Sequence, residues 1–133
     1  MHALRVVDVA VEVASHTKRL AQASIAYREI LLRAPLHFPL RSGTRLLSGI
    51  DGAPVFDVSI GLNKLAAQIS QTVQWAACLE ACVEAGATAF LELGPGPALS
   101  EMAAGAYPGL DTRSLDDFKS LDGVRAWLAR HAV

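Results

Sequence analysis

The sequence predicts an α/β fold in which a short, mainly parallel sheet is flanked by helices. Strand-like runs alternate with helical runs along the chain, and such alternation is typical of α/β layering. A glycine turn at 94–97 joins an apolar run to a helix, and turns of this kind follow the carboxyl ends of parallel strands. The chain has 133 residues, which suffice for one modest core, so we expect residues 1–133 to form a single domain.

The amino-terminal half is predicted to begin with a strand and a helix. Alternate valines over 5–14 indicate a strand with one buried face. From Thr17 the apolar period becomes helical and continues to Ala34, and Pro35 ends the helix. Short extended pieces and turns follow at 36–40, 42–43, 45–48 and 49–52. Because the chain opens directly into a strand-like run, we expect it to be part of a longer protein.

The second half is predicted to contain most of the remaining regular structure. Its elements are a helix over 62–70, a helix with Trp75, Leu79, Cys82 and Val83 on one face, a strand over 88–93, a helix over 97–105, a strand over 112–115 and a helix over 120–131. Gly86 is placed to cap the second of these helices in a left-handed conformation. The last helix is predicted to begin after Ser120 and to turn Leu121, Val124 and Leu128 inward.

Composition excludes several classes of partner. The formal net charge is −1 and the basic residues are scattered, so we expect neither nucleic acid nor an anionic membrane surface as a partner. No apolar run approaches the ~20 residues that a membrane helix needs. Two cysteines are too few for a disulfide scaffold, and the first residues lack the pattern of a secretory signal. We therefore expect a cytoplasmic protein.

His16 is the strongest candidate for chemistry because it lies where the predicted strand meets the predicted helix. Imidazole changes protonation near neutral pH, so it can accept a hydroxyl proton in one half-reaction and return it in the next. A lone histidine usually has a structural role, and that role is also compatible with this position. Of the other histidines, His2 and His131 lie near the ends, where we expect solvent, and His37 has no partner nearby in the sequence.

The other candidates lack a partner or a suitable geometry. Free N–H groups of the 94–97 turn could bind an anion, but its two prolines remove donors and favour a tight strand-to-helix turn. Cys78 and Cys82 lie one helical turn apart and cannot complete a tetrahedral zinc site, so we predict core packing and no metal. Glu92 could act as an acid. No serine lies in a G-x-S-x-G turn, the nearest approach being DVSIG at 57–61.

Four landmarks occur in a fixed order along nearly the whole chain. They are SH at 15–16, Gln68, VQW at 73–75 and ELGPG at 92–96. In this combination the chain resembles the C-terminal part of the malonyl-CoA:acyl carrier protein transacylase family, which includes the acyltransferase domains of fatty acid and polyketide synthases. Ala14 stands where that family usually has proline. SLDDF at 114–118, WLAR at 127–130 and VQWAA at 73–77 look most like the malonate decarboxylase transacylase (epsilon) subunit.

The resemblance implies ping-pong transfer of a malonyl group from malonyl-CoA to the phosphopantetheine-type thiol of an acyl carrier protein or carrier subunit. The CoA thioester is then a substrate, and no bound cofactor is implied. By matching position, His16 is the general base and acid, and the main-chain carbonyl of Gln68 orients its imidazole, as a carboxylate does in a triad. The family's nucleophilic serine, malonyl-binding arginine and oxyanion-hole glutamine lie upstream of the histidine and have no counterpart here.

The resemblance also implies how the domain is divided. Residues 1–14 correspond to a strand that crosses from a missing ferredoxin-like subdomain, and residues 15–133 to the C-terminal part of a large α/β-hydrolase-like subdomain. We therefore expect the isolated chain to be inactive. A broken sheet edge exposes apolar surface, so we expect association with the missing N-terminal half, or self-association, along 5–14.

Two other functions remain open on the sequence alone. The chain could be a non-catalytic α/β binding or scaffold module that kept the acyltransferase fold without its chemistry. It could also be an independent hydrolase that uses Ser15 or Ser59, although neither serine lies in a nucleophile turn.

Overall fold

A computed structural model describes residues 12–36 and 43–131 of the chain. The elements in these ranges are α1 (Ala21–Arg33), α2 (Val58–Ala67), α3 (Trp75–Glu84), β1 (Ala89–Glu92), α4 (Ala98–Ala106), β2 (Asp111–Ser114) and α5 (Leu121–His131). Short 3₁₀ helices, Lys18–Leu20 and Leu115–Asp117, precede α1 and follow β2. The chain divides into two compact units, Met1–Cys78 and Leu79–Val133, and the division falls inside α3.

Part of the predicted N-terminal strand, 5–14, lies outside the described residues. Its last residues, 12–14, are described and form no strand. The predicted extended piece at 36–40 also lies almost wholly outside the described ranges, as do His2 and His37. None of the described helices is long and apolar enough to cross a membrane.

α1 confirms the helix predicted between Thr17 and Ala34. Ala34 adopts an extended conformation with ψ of 139°, because a residue before proline avoids the helical conformation. The partly buried residues of α1 and its preceding turn share one face at helical spacing: Leu20, Ser24, Tyr27, Arg28 and Leu31. Ile25 and Leu32 are exposed on the other side.

α2 begins at Val58 rather than at Leu62, so the predicted helix over 62–70 was misplaced. The carboxylate of Asp57 accepts a hydrogen bond from the N–H of Ile60 at 2.8 Å and caps the first turn. The helix ends at Ala67, and residues 68–70 form a turn. A β-branched residue on each side of Ser59, followed by Gly61, weakens the helical pattern of this first turn.

α1 and α2 pack against each other in opposite directions. The hydroxyl of Ser24 donates to the carbonyl oxygen of Ala66 at 2.7 Å. One turn later, Nε of Arg28 donates to Oδ1 of Asn63 at 2.5 Å. The contacts advance along α1 while they retreat along α2, so the amino end of α1 lies beside the carboxyl end of α2.

A tight turn over 48–54 precedes α2. The N–H of Ser48 donates to Ala53 at 3.0 Å, and the N–H of Gly52 donates back to Ser48 at 2.8 Å. This confirms the turn predicted at 49–52, whereas the extended piece predicted at 45–48 is reduced to an isolated bridge between Leu47 and Pro54. Gly52 has a φ of +69°, which is a left-handed conformation that glycine adopts without steric cost.

β1 and β2 form a parallel pair with α4 between them along the chain. The register runs from Ala89 opposite Asp111 to Glu92 opposite Ser114. Both strands, α4 and the αL glycine at Gly86 (φ +92°) agree with the elements predicted from the sequence. A strand, a helix and a second parallel strand in this order confirm the α/β class.

α5 buries Val124 as predicted, but the rest of its inward face differs from the prediction. Val124 and Trp127 are buried, but Leu121 is 70% exposed and Leu128 is 45% exposed. Trp127 orients the helix because its indole N–H donates to Oδ2 of Asp111 at 2.9 Å. Its ring also contacts that of His131 in a tilted arrangement, with centroids 4.7 Å apart and an interplanar angle of 52°. His131, expected to be solvated, also donates from Nε2 to Oδ2 of Asp111 at 3.0 Å.

The carboxylate of Asp111 makes the packing of α5 less stable at low pH. Burial opposes ionisation, but hydrogen bonds from Trp127 and His131 and the charge of Arg113 outweigh it, so the pKa of Asp111 lies below its ordinary value. A depressed pKa adds stability that is present above the ordinary aspartate pKa of about 3.9 and is lost as pH falls below it. The Asp111 side chain is 39% exposed, so we expect a loss below about 1 kcal/mol.

Titration of the Asp111 carboxyl carbon by NMR measures this pKa directly. In Trp127→Phe the ring stays and the N–H donor is lost, so we expect the pKa of Asp111 to rise toward its ordinary value. A wild-type pKa at or above that value contradicts the prediction.

Candidate active site

His16 occupies a constrained turn at the amino end of α1. Its φ of +61° lies in the left-handed region, which non-glycine residues rarely adopt. Its backbone N–H donates to the carbonyl of Ile69 at 3.0 Å, and the hydroxyl of Thr17 donates to Ala14 at 2.8 Å. Such a conformation persists only where the surroundings determine it, and it occurs often at functional sites.

The imidazole of His16 meets the main chain of Gln68. Nδ1 lies 2.5 Å from the carbonyl oxygen of Gln68, which directly follows α2. A carbonyl oxygen can only accept, so Nδ1 carries the hydrogen, and in the neutral ring Nε2 is then the acceptor. The last carbonyls of a helix have no partner within it, which leaves this group available. The two residues predicted to meet do so; their catalytic roles remain predictions.

His16 lines two open cavities. The larger, of about 590 Å³, is lined by His16, Thr17, Lys18, Ala21, Ser70, Gln71 and Thr72. The smaller, of about 330 Å³, is mainly apolar and is lined by Ser15, His16, Leu20, Tyr27, Leu65, Gln68 and Ile69. The side chain of His16 is exposed, so a reacting group can approach the imidazole from outside this unit.

The 94–97 turn is occupied by the protein's own side chains. The N–H of Gly96 donates to Oδ2 of Asp116 at 2.8 Å, and the buried hydroxyl of Ser114 donates to the carbonyl of Gly96 at 2.9 Å. Glu92 is not unpaired, because its Oε2 accepts the N–H of Ser100 at 2.8 Å in the first turn of α4. These contacts favour a tight structural turn over an anion site, and they give Glu92 a helix-capping role.

The remaining sequence candidates have no geometry for chemistry. Cys78 is buried and its thiol donates to the carbonyl of Ser48 at 3.5 Å, while burial raises the pKa of the Cys82 thiol. Ser59 lies exposed in the first turn of α2, and Ser15 is exposed beside His16. Over residues 12–36 and 43–131, no three His, Cys, Asp or Glu side chains come together as metal ligands would.

Ser24, near the site, makes a contact that the sequence did not predict. Its hydroxyl, 2.7 Å from the carbonyl of Ala66, ties α1 to the last turn of α2 just before Gln68. One signal was available, since Ser24 is a small polar residue on the helix face that otherwise carries Leu20, Tyr27 and Leu31.

The fold matches part of the fold of solved acyltransferases that are named for acyl carrier protein. The malonyl-CoA:acyl carrier protein transacylase from Xanthomonas oryzae pv. oryzae matches with a TM-score of 0.71 and 28% identity, over 80% of this chain and 33% of that one. The corresponding enzyme from Clostridium perfringens matches in fold, with a TM-score of 0.76 at 21% identity, over 93% of this chain and 38% of that one.

The sequence comparison points to the same enzymes. The chain is 30% identical over 122 residues to the malonyl-CoA:acyl carrier protein transacylase of Synechocystis sp., which covers 90% of this chain and 41% of the relative. The crystal structure of the Synechocystis enzyme matches with a TM-score of 0.69 over 87% of this chain. No family model matches the sequence. The chain is therefore homologous to the C-terminal part of malonyl-CoA:acyl carrier protein transacylases and spans about two fifths of their length.

Proposed function

We propose that this chain supplies the histidine half of a malonyl-transfer site. The contact between Nδ1 of His16 and the carbonyl of Gln68 carries the proposal, because it leaves Nε2 free to accept a proton. The homology with enzymes named for transfer from malonyl-CoA to acyl carrier protein supports the choice of donor and acceptor. The nucleophilic serine is then supplied by sequence outside these 133 residues.

The proposed reaction proceeds in two half-reactions. The serine oxygen attacks the malonyl thioester carbon while Nε2 of His16 takes the hydroxyl proton. The carbon–sulfur bond breaks, and the imidazolium returns the proton to the CoA sulfur. In the second half-reaction the carrier thiol gives its proton to Nε2 and attacks the serine ester, and the serine oxygen recovers the proton as it leaves. The reaction needs no bound cofactor.

We further propose that the acceptor is the carrier subunit of a malonate decarboxylase. This assignment rests on VQWAA at 73–77 and on the closing segments at 114–118 and 127–130. We expect kcat/KM for malonyl transfer from CoA to be higher with such a carrier than with a fatty acid synthase carrier. The reverse preference contradicts the assignment of the acceptor.

A chimera tests the proposed function. The matched C-terminal part of the Synechocystis transacylase is replaced by this chain, so that the upstream part of that enzyme provides the serine. We expect the chimera to transfer malonyl from malonyl-CoA to a carrier thiol and the isolated chain not to do so. A folded chimera without transfer, although it binds malonyl-CoA, contradicts the proposal and favours a scaffold module. Thioester cleavage by the isolated chain that is lost in Ser59→Ala favours the hydrolase.

A further inference from the structure

Ser24 occupies an unusual position for a serine inside a helix. A helical serine commonly donates back to the carbonyl four residues earlier in its own helix. The hydroxyl of Ser24 instead donates across to the carbonyl of Ala66, at 2.7 Å, in the last turn of α2. The bond is partly buried, and the same carbonyl of Ala66 also accepts the N–H of Ile69 at 3.2 Å, so it is the tie to α1 that is lost when the hydroxyl is removed.

The carboxyl end of α2 receives three hydrogen bonds from the α1 segment. Ala66 accepts from the side chain of Ser24, Gln68 accepts from the imidazole of His16, and Ile69 accepts from the backbone N–H of His16. All three acceptors lie within one turn of chain, so a movement of that turn changes all three bonds together. The backbone of His16 has a positive φ, and such a conformation persists only where the surrounding contacts hold it.

We infer that Ser24 is a positioning residue for His16: by tying α1 to Ala66, it holds the carbonyl of Gln68 against Nδ1. This inference rests on the proposed function for its catalytic meaning, but the positioning itself is measurable without any substrate. The contact between Arg28 and Asn63 joins the same two helices farther from His16, and so it offers a matched comparison.

The tautomer of the neutral His16 imidazole is the readout. Long-range ¹H–¹⁵N correlation spectra of the 133-residue chain report the ratio of the Nδ1–H form to the Nε2–H form. We expect the Nδ1–H form to dominate in the wild type and the ratio to fall about threefold or more in Ser24→Ala, in line with the loss of one hydrogen bond. An unchanged ratio in folded Ser24→Ala overturns the inference.

Two comparisons separate positioning from general stability. Asn63→Ala removes the bond between Arg28 of α1 and Asn63 of α2, and we expect it to leave the ratio near the wild-type value. An equal fall in Asn63→Ala and Ser24→Ala overturns the inference. Ser24→Thr and Ser24→Val have the same shape and differ in the hydroxyl, so we expect Thr to keep the ratio and Val to lower it. Equal ratios in this pair overturn the inference even if Ser24→Ala does not fold.

The chimera links the measurement to catalysis. There we expect Ser24→Ala to lower kcat about threefold with KM unchanged, and Ser24→Thr to restore kcat. An inactive chimera with the expected tautomer ratios refutes the proposed function and leaves the positioning intact. An active chimera whose kcat and tautomer ratio do not respond to Ser24→Ala refutes the positioning alone.

Discussion

Replacement of His16 by alanine in the chimera is expected to lower kcat/KM for malonyl transfer by about 10² to 10⁴-fold, which is the usual contribution of a positioned general base. The expectation depends on the geometry at Nδ1, where the carbonyl of Gln68 accepts the ring hydrogen at 2.5 Å and so leaves Nε2 as the proton acceptor. Steady-state transfer of malonyl to a carrier thiol, followed at several pH values, measures the loss.

Two further variants control this experiment. Ser59 is exposed in the first turn of α2, and Ser59→Ala should transfer malonyl at the wild-type rate. Gln68→Ala keeps the main-chain carbonyl but removes a side chain that packs beside Gly49, so we expect a loss much smaller than that of His16→Ala. Transfer by His16→Ala at the wild-type rate contradicts the assignment of the base.

Replacement of Gly52 by alanine is expected to lower the free energy of unfolding by about 3 kcal/mol. A left-handed conformation costs a residue with a Cβ about 1–2 kcal/mol, and overpacking costs a further 1–3 kcal/mol. Both apply here, because φ is +69° and the added Cβ would lie 2.8 Å from the carbonyl oxygen of Ala77. A backbone atom cannot move away by changing its rotamer, so the turn or α3 must shift.

Equilibrium unfolding in urea measures this loss, and Gly86→Ala provides the matched control. Gly86 also has a positive φ, of +92°, but no atom lies within 4 Å of the position of its Cβ. We therefore expect Gly86→Ala to lose about 1 kcal/mol from conformational strain alone. Equal losses of unfolding free energy in the two variants would show that the close approach to Ala77 does not destabilise Gly52→Ala.

Local patterns in the sequence predicted much of the fold. The helical spacing that ends at Pro35 predicted α1, and the apolar run before Gly94 predicted β1. The start of α2 was missed because its signal is a single capping bond, in which Asp57 accepts the N–H of Ile60, within a first turn of weak helix formers.

Contacts between distant parts of the chain could not be predicted from such patterns. Leu121 and Leu128 continue an apolar stripe, but Trp127 buries more surface and finds a partner for its N–H in Asp111, so it decides which face of α5 turns inward. The bond from Ser24 to Ala66 spans 42 positions in sequence, and no helical or strand period encodes it.

The site itself was predicted through a resemblance rather than from spacing. A lone histidine at a strand end is compatible with a structural role. No local sequence pattern near His16 indicates a contact with a residue 52 positions away. The resemblance, which depends on the order of the landmarks SH, Gln68, VQW and ELGPG, predicted that Gln68 contacts the imidazole. The left-handed φ of His16 had no signal in the sequence.

The neutrality of the group that holds His16 has an electrostatic consequence. A carboxylate partner would compensate the imidazolium, and the pair would carry no net charge after proton uptake. The carbonyl of Gln68 offers only a dipole, so each proton taken by Nε2 adds a full positive charge to the cavity wall. In the proposed reaction the malonyl carboxylate and the CoA phosphates are anions, and this charge attracts them only while the ring is protonated. Added salt should therefore weaken the protonated intermediate more than the resting enzyme.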